Sequence, residues 1–141
     1  MAKQRTVLVT GGSRGIGASI AQHFAEQGDR IAVHYSSNGG LAAEVMASLP
    51  GSGHMTAQAD LRDADAIKVM VDSVAKEFGH IDILINNAGV FFDHPIESST
   101  YEVWQQAWSD TLGVNLVGAA NVTWCALQHM PRHGHSRIVN V

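Results

Sequence analysis

Five short apolar runs alternate with helix-length segments, and the first run opens straight into a cluster of glycines. Residues Thr6 to Thr10 read TVLVT and are followed by GGSRGIG, ending at Gly17. A compact β-branched run suits a strand buried on both faces. Ile16, Ile20 and Phe24 then recur at i, i+4 and i+8, one face of a helix that stops at Gly28. The alternation continues with RIAVHY as a second strand and GGLAAEVMASL as a helix closed by Pro50-Gly51. MTAQAD reads as a weaker third strand. Asp63 is an N-cap for a helix that aligns Ile67, Met70, Val71, Val74 and Phe78, with Gly79 at its end. IDILI is the fourth strand, and a loop runs from Asn86 to about Thr100. A helical stretch with Trp104 and Trp108 comes next, then a separate helix from about Asn115 to Met130, the turn PRHGHS and a fifth strand, RIVNV.

Strands alternating with helices imply right-handed βαβ units. The predicted fold is α/β, a Rossmann-type doubly wound parallel sheet, forming one domain over residues 1–141. The run IVNV is too apolar for a finished exposed end, so the last strand is expected inside a sheet truncated after its fifth strand.

A hydrophobic content of 45% and a charged content of 16% fit a globular core. The net charge of −4 and the absence of a basic run argue against nucleic-acid partners. The single Cys125 excludes an intrachain disulfide and fits a reducing compartment. MAKQRTVLVTGG is too short in apolar residues for a signal-peptide core or a membrane span. The expectation is a soluble cytoplasmic protein with no membrane partner.

The glycine loop TGGSRGIG carries the first chemical signal. Its spacing is G-x-x-x-G-x-G on Gly11, Gly15 and Gly17. Glycine permits φ > 0 in a tight turn and lets the backbone approach a pyrophosphate. The following helix N-terminus offers free N–H groups and partial positive charge. Gly17 is expected to let the helix pack closely on the strand. A glycine-rich turn without ligand is the alternative.

Four ordered signals make the sequence resemble the short-chain dehydrogenase/reductase family over its whole length: TGGSRGIG, Asp60-Leu61 after the third strand, NNAG (Asn86 to Gly89) after the fourth, and WSDTLGVNLVG around Asn115. The resemblance implies hydride transfer between a nicotinamide and a carbonyl or alcohol. It implies cofactor contacts at Gly11, Ser13, Arg14, Gly15, Ile16, Gly17, Asp60, Leu61, Asn87, Ala88 and Gly89, and a catalytic or structural role for Asn115. A role for Asn115 as a kink residue that satisfies backbone groups stays equally open. In this family a strand like RIVNV leads into a catalytic Ser, then a Tyr-x-x-x-Lys pair. Here the only tyrosines are Tyr35 and Tyr101, and neither has Lys four residues on. The chain is therefore expected to be the cofactor-binding part of a longer, homo-oligomeric reductase and inactive alone. A non-catalytic dinucleotide-binding module and an interaction protein with an empty loop are the rivals. The substrate is expected to be a small carbonyl compound, a sugar or an acyl-thioester ketone.

Cofactor choice is read at the end of the second strand. An NAD-selective site places an acid there for the ribose 2′-OH. This chain has HYSSN, His34 to Asn38, and no acid. Arg14 can pair with a 2′-phosphate, and Ser36 or Ser37 can donate to it. NADP(H) is preferred, with NAD(H) as the alternative. His129, His133 and His135 read as incidental loop histidines and no metal is expected. Cys125 reads as an inert buried thiol. VFFDHPIESS, Val90 to Ser99, is either a substrate approach or an ordinary connection.

Overall fold

The computed structural model describes residues 4–132 and 134–141. Its strands are β1 (Thr6–Val9), β2 (Arg30–Tyr35), β3 (Met55–Gln58), β4 (Ile83–Asn86) and β5 (Arg137–Asn140). They form one parallel sheet in the order β3-β2-β1-β4-β5. Successive side chains on a strand point to opposite faces. Val7 and Val9 therefore join Ile31, Val33, Ile83 and Ile85 in one core layer. Leu8 joins Ala32 and Leu84 in the other. The first layer is covered by helices α1 (Gly15–Glu26) and α2 (Gly39–Ser48), through Ala21, Ala25 and Ala42. The second is covered by α3 (Ala64–Phe78) and α5 (Ala119–Leu127), through Ile67, Val71, Val74, Val122 and Ala126. A Rossmann-like, doubly wound α/β fold follows, as the alternation predicted.

The strand order reverses between β1 and β4. In open α/β sheets the crevice outside the carboxyl ends of the strands at such a switch point is where ligands bind. The glycine loop after β1 and the NNAG segment at the end of β4 both open there.

Two sequence expectations change. The buried face of α1 is Gly17, Ala21 and Ala25. Ile16 is 65% exposed, while Ile20 and Phe24 are only partly buried against the sheet. Small residues let the helix lie close, and the larger row is displaced to its flank. The two C-terminal helices are one continuous rod: α4 (Tyr101–Leu112) runs through a π-helical turn (Gly113–Gly118) into α5. The turn presses on the segment after β3, where a Cβ on Gly118 would come 2.5 Å from the Leu61 carbonyl oxygen. The sheet stops at its fifth strand, as expected: β5 is bonded to β4 and all four of its residues are exposed. Among the described residues no helix is long and apolar enough to cross a membrane.

Candidate functional site: a groove at the switch point

The site begins with two glycines that need left-handed backbone: Gly11 has φ +61° and Gly15 φ +53°. They turn the chain from β1 into α1 without a strained side chain. A Cβ on Gly17 would strike the Gly11 carbonyl and come 2.6 Å from Asn87 Nδ2. The close approach expected at Gly17 is thus between helix and loop, not helix and strand. Asn87 Nδ2 donates to the carbonyls of Thr10 at 3.0 Å and Gly11 at 3.2 Å. Thr10 Oγ1 accepts from the N–H groups of Asn87 and Ala88, each at 3.0 Å. The loops after β1 and β4 are one hydrogen-bonded unit.

Arg14 occupies the N-cap of α1 in extended conformation and makes no side-chain cap bond. No acid lies in the first turn. The orphan N–H groups of a helix start are usually met by a side chain, water or ligand. Here the chain supplies no side-chain acceptor.

Beside this helix start lies a groove of about 510 Å³, within the size range of small-molecule sites. Gly11, Arg14, Gly15, Ile16 and Gly17 line it from the first loop. Ser36 and Ser37 line it from the end of β2, Asp60 and Leu61 from beyond β3, and Asn87, Ala88 and Gly89 from beyond β4. Eleven of the predicted contacts are brought together, with Ser37 added. Ser13 is half-buried and does not line the groove. Asn115 lines an adjoining cavity that shares Asn87, Ala88 and Gly89. Its Oδ1 accepts from the Val90 N–H at 2.8 Å and its Nδ2 donates to the Val90 carbonyl at 2.9 Å. In this structure the Asn115 amide pins the segment after NNAG to the π turn.

Sequence reasoning does not single out Thr10, His34 or Arg62. Arg62 lines the groove and grips Asp60 through Nε at 3.1 and 3.2 Å and Nη2 at 2.7 Å. Its Nη1 reaches Asp110 of α4 at 3.1 Å. The guanidinium holds the Asp60 carboxyl below the usual carboxylate range, and the two carboxylates raise Arg62. The doublet Asp60-x-Arg62 was the available signal. His34 is buried to 2% exposure and lines the groove with a ring nitrogen bonded to the Gly11 N–H. Its partners lie more than twenty residues away in sequence, so no local pattern marks it.

A family model described as short chain dehydrogenase matches residues 5–141. The chain belongs to the short-chain dehydrogenase family. It is 36% identical over 143 residues to the 3-oxoacyl-[acyl-carrier-protein] reductase FabG of Staphylococcus aureus, covering 100% of this chain and 56% of that protein. It is 35% identical over 140 residues to the Rhizobium meliloti protein named "Probable galactose dehydrogenase GalD", covering 98% of this chain and 53% of that one. The fold superposes with a TM-score of 0.82 on a short chain dehydrogenase from Burkholderia cenocepacia in complex with NADP, at 35% identity over 97% of this chain and 54% of that chain. The chain spans about half the length of the curated relatives it matches.

Val90 and Phe92 of VFFDHPIESS line the groove, and the other candidates lie away from it. His129 Nε2 bonds Asp72 Oδ1 of α3 at 2.7 Å, a carboxylate partner not evident in the local sequence. His133 lies outside the described residues. Among the described residues no three metal-ligating side chains converge. Cys125 is buried, and burial pushes its thiol up, away from the thiolate needed for reactivity. Trp104 and Trp108 do pack together, with centroids 5.7 Å apart.

Proposed function

We propose that this chain is the cofactor-binding part of an NADP(H)-dependent oxidoreductase acting between a carbonyl and an alcohol. The observation that carries the cofactor choice is the rim formed by Arg14, Ser36 and Ser37. It holds one cation and two hydroxyls, and the one carboxylate lining the groove, Asp60, is engaged by Arg62. A 2′-phosphate carries between one and two negative charges at neutral pH and asks for cations and donors. NAD(H) is the alternative cofactor, and it lacks the group this rim suits.

The residues fit a dinucleotide. A Cβ on Gly15 would meet nothing within 4 Å, so the backbone there faces open space. The uncapped start of α1 with Gly11, Gly15, Ile16 and Gly17 would hold the pyrophosphate. Asp60 and Leu61 would receive the adenine, and Asn87, Ala88 and Gly89 would form the floor. A bound reduced nicotinamide supplies hydride to a carbonyl carbon. Asn115 keeps Val90, and so the NNAG segment, in register with the π turn beside that floor. The Tyr-x-x-x-Lys that protonates the resulting alkoxide in this family is not among these residues, so the chain alone is proposed to bind without turning over. A small carbonyl compound, a sugar or an acyl-thioester ketone is the proposed substrate class, supported by the names of the two relatives.

Titration of the purified protein with NADPH and NADH tests the proposal. Binding of NADPH at least tenfold tighter than NADH is expected. Equal affinity would sink the assignment to NADP(H), and no binding of either would sink the dinucleotide reading.

A further inference from the structure

His34 sits one residue before the end of β2 and is 2% exposed. At that depth both ring nitrogens need partners. Nδ1 accepts the Gly11 backbone N–H at 3.0 Å, and Nε2 lies 2.9 Å from the Ala59 carbonyl oxygen. A backbone N–H only donates and a carbonyl only accepts. The two contacts therefore fix one tautomer, with the proton on Nε2 and a lone pair on Nδ1. The main chain adds a third tie, because the His34 carbonyl accepts from the Gly12 N–H at 2.9 Å. Gly11 starts the glycine loop, and Ala59 directly precedes Asp60. One buried ring thus spans the start of the phosphate-facing turn and the segment that carries Asp60 and Leu61.

We propose that His34 is a positioning residue for dinucleotide binding: its neutral ring holds the Gly11 amide and the Ala59 carbonyl in place, and protonating the ring releases the glycine loop. The proposal rests on reading the groove as a nicotinamide dinucleotide site. Protonation at Nδ1 would set two N–H groups head to head across 3.0 Å, so the ring or Gly11 must move. Gly11 is hemmed in, since even a Cβ there would come 2.9 Å from Ala88 Cα. The other charged groups lining the groove are Arg14 from the first loop and Asp60 and Arg62 from the segment after β3. Asp60 is already gripped by Arg62, which also bridges to Asp110. The neighbouring Tyr35 packs against the opposite core layer. No uncommitted carboxylate therefore lines the groove to favour an imidazolium.

Burial lowers the His34 pKa from its ordinary 6.5, with the Ala59 contact acting the other way. The unfolded chain thus takes up this proton first as pH falls. The contribution of the neutral ring is whole above the unfolded value near 6.5 and is lost as pH drops through the lower folded value.

The test is titration of the purified protein with acid-stable NADP⁺ from about pH 8 to about pH 5, across the histidine range, beside His34→Gln and His34→Leu. Gln keeps an acceptor and a donor but does not titrate, whereas Leu meets neither backbone group. The ratio of wild-type to His34→Gln affinity is expected to fall up to tenfold per pH unit below the ring's pKa, the slope of one linked proton. Titration of the 2′-phosphate cancels in that ratio. His34→Leu is expected to weaken NADP⁺ by roughly 5- to 150-fold at every pH, the worth of an unmet backbone group. A ratio that is flat, or that rises on acidification, overturns the proposal. If neither variant folds, nitrogen-15 spectra of the wild-type imidazole decide it: a proton on Nδ1 at neutral pH overturns it, and a proton on Nε2 that is exchanged for imidazolium in step with loss of NADP⁺ supports it. Failure of the wild type to bind any dinucleotide at about pH 8 would instead remove the groove reading itself.

Discussion

Helices α1 and α3 start at the same edge of the same sheet, each a few residues after a parallel strand, and their first turns are built in opposite ways. At α3, Asp63 Oδ1 accepts from the N–H groups of Asp65 and Ala66, each at 3.0 Å, and Asp65 adds a second negative charge. The orphan donors and the positive end of the helix are met by the chain itself. At α1 the cap position holds Arg14, no side chain accepts from the first turn, and no acid is present. A cation at a helix N-terminus is unfavourable for the helix. The α2 and α4 starts are also capped, by Asn38 and Thr100. Among the described residues four helices begin after a loop; of these only α1 gives up this stabilisation, and it is the one whose start opens on the groove. The difference teaches that α3 meets its first-turn donors from its own chain while α1 leaves them open to the groove, the feature on which the proposed anion site rests.

Making α1 resemble α3 is the sharpest way to break that contrast. Arg14→Asp places a good cap at an extended position and reverses a charge on the groove rim. Helix capping should raise stability by about 0.5–2 kcal/mol. NADPH binding should fall by at least roughly 100-fold, since a charge-assisted pair worth about 1.5–3 kcal/mol is replaced by repulsion. Thermal melting and NADPH titration of one variant read both signs. A variant that is stabilised and still binds NADPH would show that the uncapped start serves nothing. The milder Arg14→Ala should cost NADPH roughly 10- to 150-fold and leave NADH nearly unchanged. An equal loss for both cofactors would mean that Arg14 holds the loop and does not read the phosphate.

Gly17→Ala attacks the same region through shape. Its methyl group would be driven into the Gly11 carbonyl and Asn87. Overpacking of this kind costs about 1–3 kcal/mol. Stability and NADPH affinity should fall together, seen as a lower melting temperature and a weaker titration. A Gly17→Ala protein with unchanged melting and binding would show that the loop tolerates opening there.

The same two helices explain what was legible in the sequence. Every apolar residue predicted on α3, together with its Asp63 cap and its Gly79 stop at φ +86°, stands where the pattern put it. Large apolar side chains, a polar cap and a left-handed glycine are local signals. On α1 the apolar row of Ile16, Ile20 and Phe24 was equally regular, yet Gly17, Ala21 and Ala25 face the sheet. Close packing there selects small side chains, which periodicity of large ones cannot report. The groove divides the same way. Gly11, Asn87 and Asp60 fall within short motifs, whereas His34 gains its partners only when the sheet brings β1, β2 and β3 together. The sequence pattern predicts a separate helix from about Asn115, while the backbone continues from α4 through a π turn.

Removing the cap of α3 should bring the converse of the Arg14 result. Asp63→Ala is expected to cost about 1 kcal/mol of stability, roughly 2–8 °C in melting temperature for a domain of this size. NADPH affinity should not change, because the α3 start does not line the groove. A loss of affinity larger than the loss of stability would mean that the two helix starts act on one site.

The smallest expected effect concerns the segment just before α3, where Arg62 grips Asp60. The side-chain bond to Arg62 is the main reason the Asp60 carboxyl titrates below its ordinary 3.8, with the Arg62 backbone N–H adding to it. A carboxyl lowered on folding contributes stability above its unfolded value and loses it as pH falls through the folded one. The loss is confined to pH below about 4 and is small, because both partners are well exposed to screening solvent. Arg62→Gln should therefore return the Asp60 carboxyl toward its ordinary value while leaving neutral-pH stability close to wild type. Carbon-13 NMR of the Asp60 carboxyl reads the first, and urea melts at neutral pH read the second. Freed from Arg62, Asp60 should also become a stronger acceptor toward the adenine amine, so NADPH and NADH should shift by the same small factor, since both carry adenine. A shift confined to NADPH would instead assign Arg62 to the phosphate rim beside Arg14.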